Sequence, residues 1–144
     1  MQLPVPLLPR VVRWGGVVVV AGVILYGSLL TVPETVVDEI HPEFLPIHYW
    51  RHLVAYLTFA LALAYATDHW RLPRWRNAVL VIAVAVLYGV AMEFGQSLLP
   101  YRSKFLLVDV VMNGIGATGV LAWYAVRPRL RLVPIGELVD GWLD

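Results

Sequence analysis

The chain of 144 residues contains no cysteine, and only 15% of its residues are charged. The lack of cysteine excludes thiolate metal sites, thiol nucleophiles, disulfide bonds and the lipid anchors that are attached through cysteine. The charged residues sum to a formal net charge of +1, and they form no basic tract of the kind that binds nucleic acid. We therefore expect no nucleic-acid partner.

Apolar residues are abundant instead. They make up 60% of the chain, and the mean hydropathy is +0.72, which is too apolar for an ordinary soluble domain. A membrane-spanning helix needs about 20 mainly apolar residues. The sequence predicts one membrane domain over residues 1–144, an all-α four-helix transmembrane bundle with spans at about 12–32, 51–67, 77–99 and 105–126.

The basic residues are distributed unevenly around these spans. One side of the predicted bundle has Arg10, Arg13, Arg71, Arg74, Arg76, Arg127, Arg129 and Arg131, and the other has Arg51, Arg102 and Lys104 beside four acidic residues. Because loops rich in lysine and arginine stay in the cytoplasm, the first side is predicted to be inside. The expected protein is multi-pass in the cell membrane, in contact with lipids, with both termini cytoplasmic (N-in/C-in).

Two carboxylates lie within the predicted spans, Glu93 in the third and Asp109 in the fourth. A charged side chain at the centre of a membrane helix costs at least roughly 2.5 to 3.5 kcal/mol, so such residues face a bundle interior or a wet cavity. At 1.5 Å per residue, Glu93 lies roughly 9 Å and Asp109 roughly 6 Å below the outer ends of their spans. This pair is the first candidate for a functional site.

Helical spacing places further polar residues on the same faces. The residues that share a face are His52 with Tyr56, Glu93 with Gly89 and Gln96, and Asp109 with Asn113 and Gly116. In each set the members are three or four residues apart, which aligns them along one side of a helix. If the three faces meet, they form a polar pocket that opens outward between spans two, three and four.

These residues also carry a family resemblance. The motif pattern is His52-x-x-x-Tyr56, Tyr88-Gly89-x-x-x-Glu93-x-x-Gln96, Pro100-x-Arg102 and Asp109-x-x-x-Asn113-x-x-Gly116. Over about residues 48–120 it resembles the VanZ-like family of small multi-pass membrane proteins, which is named for a member linked to resistance to the glycopeptide antibiotic teicoplanin. The resemblance implies an antibiotic-resistance-like role at the cell envelope, and it places seven residues at motif positions: His52, Tyr56, Glu93, Gln96, Arg102, Asp109 and Asn113.

The chain departs from the family pattern in two places. Many members have Asp-Lys where this chain has His48 and Tyr49, and the stretch from Arg102 to Asp109 is one residue longer than the usual spacing. Any ligand contact that the family makes through that lysine is therefore in doubt here.

Two functions remain open from the sequence. In the first, the seven motif residues bind an amphiphilic, lipid-linked or glycan-like ligand of the cell envelope at the outer face. In the second, the protein is a membrane-embedded hydrolase or transferase, with Glu93 or Asp109 as acid/base and His52 assisting. A purely structural alternative is a hydrogen-bond network that holds the helices together.

No metal or cofactor is expected from the sequence. One histidine and two carboxylates, without a closely spaced second histidine, form an incomplete metal signature.

Overall fold

A computed structural model describes residues 2–30, 46–100 and 105–137. The elements, in chain order, are β1 (Leu3–Leu7), α1 (Arg10–Leu25), α2 (Ile47–Thr67), α3 (Arg74–Ser97), α4 (Leu107–Thr118), α5 (Leu121–Val126) and β2 (Leu130–Pro134). A π-helical turn, Tyr26–Leu30, extends α1, and a 3-10 turn, Arg127–Arg129, follows α5. The chain is therefore mostly helical, as predicted.

Three helical stretches are long and apolar enough to cross a membrane among the residues that the structure describes. They are Arg10–Leu30, Arg74–Ser97 and Leu107–Arg129, so α4 and α5 together form one of them. These stretches match the predicted first, third and fourth spans to within a few residues. Membrane insertion is thus supported for three of the four predicted spans.

Helix α2 corresponds to the predicted second span. It is long enough at 21 residues, but polar residues, among them His48, Arg51 and His52, lower its apolar character. Seven of its residues are buried, including Tyr56, Phe59 and Leu63, because α2 packs against α1, α3 and α4. A helix face that packs against other helices tolerates polar side chains, as at His52 and Tyr56, that a lipid-facing surface would not.

The closest helix packing is between α2 and α4. A side chain at Gly116 of α4 would overlap the backbone of Leu53 in α2, since its Cβ atom would lie 2.9 Å from the Leu53 Cα. At Gly89 of α3, a Cβ atom would lie 2.9 Å from Asn113 Nδ2 and 3.1 Å from a ring carbon of Tyr56. Glycine is needed at Gly116, where the neighbouring atoms are backbone, whereas a side chain at Gly89 would press on the side chains of Asn113 and Tyr56.

A small parallel sheet, which the sequence did not predict, joins the two ends of the described chain. Strand β1 pairs with β2 in the register Leu3↔Leu130 to Leu7↔Pro134. Proline has no backbone N–H and therefore argues against strand pairing. Pro4 and Pro6 are two residues apart, so both positions that lack an N–H lie on the same edge of β1. The Pro6 carbonyl accepts a hydrogen bond from the Tyr65 hydroxyl at 2.8 Å, away from β2.

The sheet defines one end of the bundle. At this sheet end, Asp68, which follows α2, forms a two-pronged ion pair with Arg127, with N–O distances of 2.6 and 2.7 Å. Buried Arg13 of α1 donates to the Tyr65 carbonyl at 3.0 Å. The opposite end, called the far end below, is where α2 and α4 begin and α3 ends.

Candidate functional site

Six of the seven predicted site residues lie at the far end. Helix α2 contributes His52 and Tyr56, α3 contributes Glu93 and Gln96, and α4 contributes Asp109 and Asn113. They lie at one level because α2 and α4 start at the far end while α3, which runs in the opposite direction, finishes there. The seventh, Arg102, lies outside the described residues. We call these six side chains the polar cluster.

The centre of the polar cluster is the contact between His52 and Asn113. The distance from His52 Nδ1 to Asn113 Oδ1 is 2.7 Å. An amide oxygen only accepts hydrogen bonds, so Nδ1 of the imidazole carries the hydrogen and donates it. The other ring nitrogen, Nε2, faces Asp109 and lies 4.0 Å from its Oδ2 atom.

Both carboxylates of the polar cluster are buried. Glu93 is 1% exposed and Asp109 is 7% exposed. A ring nitrogen of His52, a carboxylate oxygen of Glu93 and a carboxylate oxygen of Asp109 all lie within 4.8 Å of one another. Three ionisable groups from three different helices therefore converge on one point.

Two buried atoms of the polar cluster have no hydrogen-bond partner in the described part of the chain. They are Asp109 Oδ1, an acceptor, and Asn113 Nδ2, a donor. Buried polar atoms are nearly always paired, and those that are not call for an explanation. The polar cluster thus has unused capacity to bind one further group.

The side chains of the polar cluster are largely buried. Asn113 is fully buried, and Tyr56, Glu93, Gln96 and Asp109 are each less than a tenth exposed. His52 is the most accessible of the six, with 21% of its side chain exposed. The side of the polar cluster at His52 is therefore its most exposed part.

A second polar region, at the sheet end, was not predicted from the sequence. Asn77 Nδ2 donates to Thr67 Oγ1 at 3.2 Å, and a neighbouring cavity of about 230 Å³ is lined by residues that include Asp68, Asn77 and Arg127. These residues lie at helix ends, where polar residues are common. Their spacing in the sequence therefore did not indicate a site. Only the folded chain brings the end of α2 next to the start of α3 and the end of α5.

An apolar layer separates the two polar regions. It contains buried Phe59, Ala60, Leu63, Val81 and Val120. Among the described residues, these apolar side chains lie between the polar cluster and the polar region at the sheet end.

The fold and the polar cluster define a class: a small helical protein with three helices able to span a membrane and a buried cluster of ionisable side chains near one end. Comparisons of the chain with protein families, with curated proteins and with solved structures give no match.

Proposed function

We propose that the protein is a multi-pass cell-membrane protein with four spans. Helix α2, the second in chain order, crosses the membrane together with the three apolar stretches given above. Its 21 residues reach about 31 Å at 1.5 Å per residue, which is enough for a hydrocarbon core of about 30 Å. The arginines that were predicted to be cytoplasmic flank the sheet end. By the positive-inside rule the sheet end is cytoplasmic, with both termini, and the far end faces outward.

At the outer face, the polar cluster recognises the polar part of an amphiphilic or cell-envelope ligand. The observation that carries this proposal is the pair of buried, unpartnered atoms beside His52, namely Asp109 Oδ1 and Asn113 Nδ2. They offer one acceptor and one donor, which match a hydroxyl or an amide of a lipid-linked or glycan-like ligand. The VanZ-like resemblance suggests the same location and a glycopeptide-resistance-like role.

Native mass spectrometry of the protein, released from its own membranes, tests this recognition. We expect a lipid or glycan to co-purify with the wild-type chain and to be lost from the Asn113→Leu variant, which removes both amide atoms. Thr118→Leu is the matched control. Thr118 is exposed on the same helix, and its hydroxyl donates a hydrogen bond to the Ile115 carbonyl of that helix. Identical bound molecules in wild type and Asn113→Leu would contradict the proposal.

A cellular test addresses the role implied by the resemblance. Expression of the chain in a teicoplanin-susceptible bacterium should raise the inhibitory concentration of the antibiotic, and Asn113→Leu should lose this effect at equal protein level. An unchanged inhibitory concentration would contradict the antibiotic-resistance role. Ligand recognition would then be tested by native mass spectrometry alone.

A membrane-embedded hydrolase or transferase is the second candidate function. The observation that favours it is the orientation of His52, whose Nδ1 is held by Asn113 while Nε2 faces Asp109. This arrangement suits proton transfer, since one ring nitrogen is fixed and the other is directed at a carboxylate. Glu93→Gln and Asp109→Asn keep the side-chain shape, so retained cellular activity in both variants would exclude acid/base catalysis by the carboxylates and spare recognition.

A further inference from the structure

We propose that His52, Glu93 and Asp109 together bind one divalent transition-metal ion of the Zn²⁺ type. This goes beyond the recognition of an envelope ligand, and it departs from the sequence expectation of no metal. The first observation is geometric: one nitrogen and two carboxylate oxygens, from three helices, lie within 4.8 Å of one another. The sequence grouped these three residues in one predicted pocket, but they are 41 and 16 positions apart and therefore show no short metal-ligand spacing.

The second observation is the orientation of the imidazole ring. Since His52 Nδ1 donates to Asn113 Oδ1 at 2.7 Å, the lone pair of the neutral ring is on Nε2, which faces Asp109. Metal-binding histidines are usually held in this way, with the second ring nitrogen donating to a carbonyl or carboxylate oxygen. Asn113 therefore acts as a positioning residue that presents Nε2 to the metal.

The third observation is the state of Asp109. Its side chain is more than nine-tenths buried, and its Oδ1 atom has no hydrogen-bond partner among the described residues. The Oδ2 atom lies 4.0 Å from His52 Nε2, which is longer than a hydrogen bond. A buried carboxylate oxygen without a hydrogen-bond partner is costly, and coordination of a cation would compensate for it.

The types of ligand atom indicate the class of ion. Zn²⁺ accepts histidine nitrogen and carboxylate oxygen together at about 2.0 to 2.2 Å, whereas Mg²⁺ and Ca²⁺ prefer oxygen ligands throughout. In a tetrahedral site the ligand atoms would be about 3.4 Å apart, so those of the polar cluster would have to approach one another by up to about 1.4 Å. Three protein ligands leave one position for water or for an oxygen of a bound ligand, as in catalytic zinc sites.

The test uses the full chain without a histidine tag, purified in detergent and stripped with a chelator. The protein is dialysed against Zn²⁺ or Mg²⁺, and metal per chain is measured by mass spectrometry. We expect about one Zn²⁺ per chain, no stoichiometric Mg²⁺, and a higher midpoint of thermal unfolding with Zn²⁺. His52→Gln and Asp109→Asn should lose the ion, and Asn113→Ala should weaken Zn²⁺ binding about 10- to 100-fold.

His48→Gln is the matched control. His48 lies one helical turn before His52 on α2, and its ring packs against Tyr49 at a centroid distance of 3.9 Å. It should retain the ion and the thermal shift. Wild type with no stoichiometric Zn²⁺, or equal Zn²⁺ retention in wild type and His52→Gln, would overturn the proposal.

Folding and function are separated by two further measurements. If His52→Gln does not fold, the Zn²⁺-dependent thermal shift of wild type is compared with that of Glu93→Gln, and equal shifts would also overturn the metal site. Co-purification of an envelope ligand is measured before and after chelation. If the chain takes up no Zn²⁺ but still binds the envelope ligand, the metal site is contradicted and the recognition proposal stands.

Discussion

Asn113 is the residue on which the polar cluster depends. It is fully buried, it accepts the hydrogen bond of His52, and its Nδ2 atom is unpartnered among the described residues. An amide has both donor and acceptor atoms, so it can orient an imidazole and still bind another group. The sequence identified Asn113 as one of several polar residues on its helix, but only the structure shows that it contacts His52.

The Asn113→Ala substitution should destabilise the protein. It leaves the partly buried His52 Nδ1–H without its acceptor, which costs about 1 kcal/mol or more. The free energy of unfolding is measured by titration with a denaturing detergent in mixed micelles. Thr118→Ala on the same helix is the control and should change it by less than about 0.5 kcal/mol. Equal losses in the two variants would show that the contact between His52 and Asn113 does not stabilise the fold.

Among the elements, α2 is central because it packs against three other helices. Its contact with α4 depends on the absence of a side chain at Gly116, which faces the Leu53 backbone. The spacing of Gly116 from Asn113 indicated a shared helical face. It did not show which helix that face contacts, because the partner of a helix is decided by packing.

The Gly116→Ala substitution should separate α2 from α4 at this point. The new methyl group would meet backbone atoms that cannot rotate away, and such overpacking costs about 1 to 3 kcal/mol. Gly114→Ala is the matched control, since a Cβ atom there lies 3.8 Å from Val86 Cγ2, an ordinary contact. Unfolding midpoints of the two variants are compared by heating in detergent. A loss in Gly114→Ala as large as that in Gly116→Ala would contradict the close-packing argument.

The ion pair between Asp68 and Arg127 links the end of α2 to the end of α5. Lysine at position 127 would keep the charge but lose the two-pronged geometry, so Arg127→Lys should lower the free energy of unfolding by about 1 kcal/mol. Arg129→Lys, at an exposed position two residues further on, should have almost no effect. The measurement is the same detergent titration. Stability equal to wild type in Arg127→Lys would show that one hydrogen bond is sufficient.

At the scale of the whole molecule, the pairing of β1 with β2 places the segment before α1 and the segment after α5 at the same end of the bundle. This is the geometry required for both termini to share one side of a membrane. The proposed cytoplasmic location of that side depends on the arginine distribution and can be tested directly, because the chain has no cysteine of its own.

Single cysteines should report the orientation without background. Ser97 is the last residue of α3 and lies at the far end of the bundle. The Ser97→Cys variant should react with a membrane-impermeant maleimide in intact cells. Glu137→Cys, which follows β2, should react only after the membrane is opened. Labelling is read as a mass shift of the purified protein. The reverse pattern would place the polar cluster on the cytoplasmic side.

The sequence by itself determined the apolar helices and the polar faces of the spans, because hydrophobic run length and helical spacing are local properties of a chain. It also placed Glu93 and Asp109 at similar depths. It missed the sheet, whose pairing joins residues about 127 positions apart, such as Leu3 and Leu130. The tertiary structure alone decided that His52 bonds to Asn113 and faces Asp109, and that five of the six side chains of the polar cluster are buried. The reason is physical: contacts between helices depend on how their surfaces pack, and no single helix contains that information.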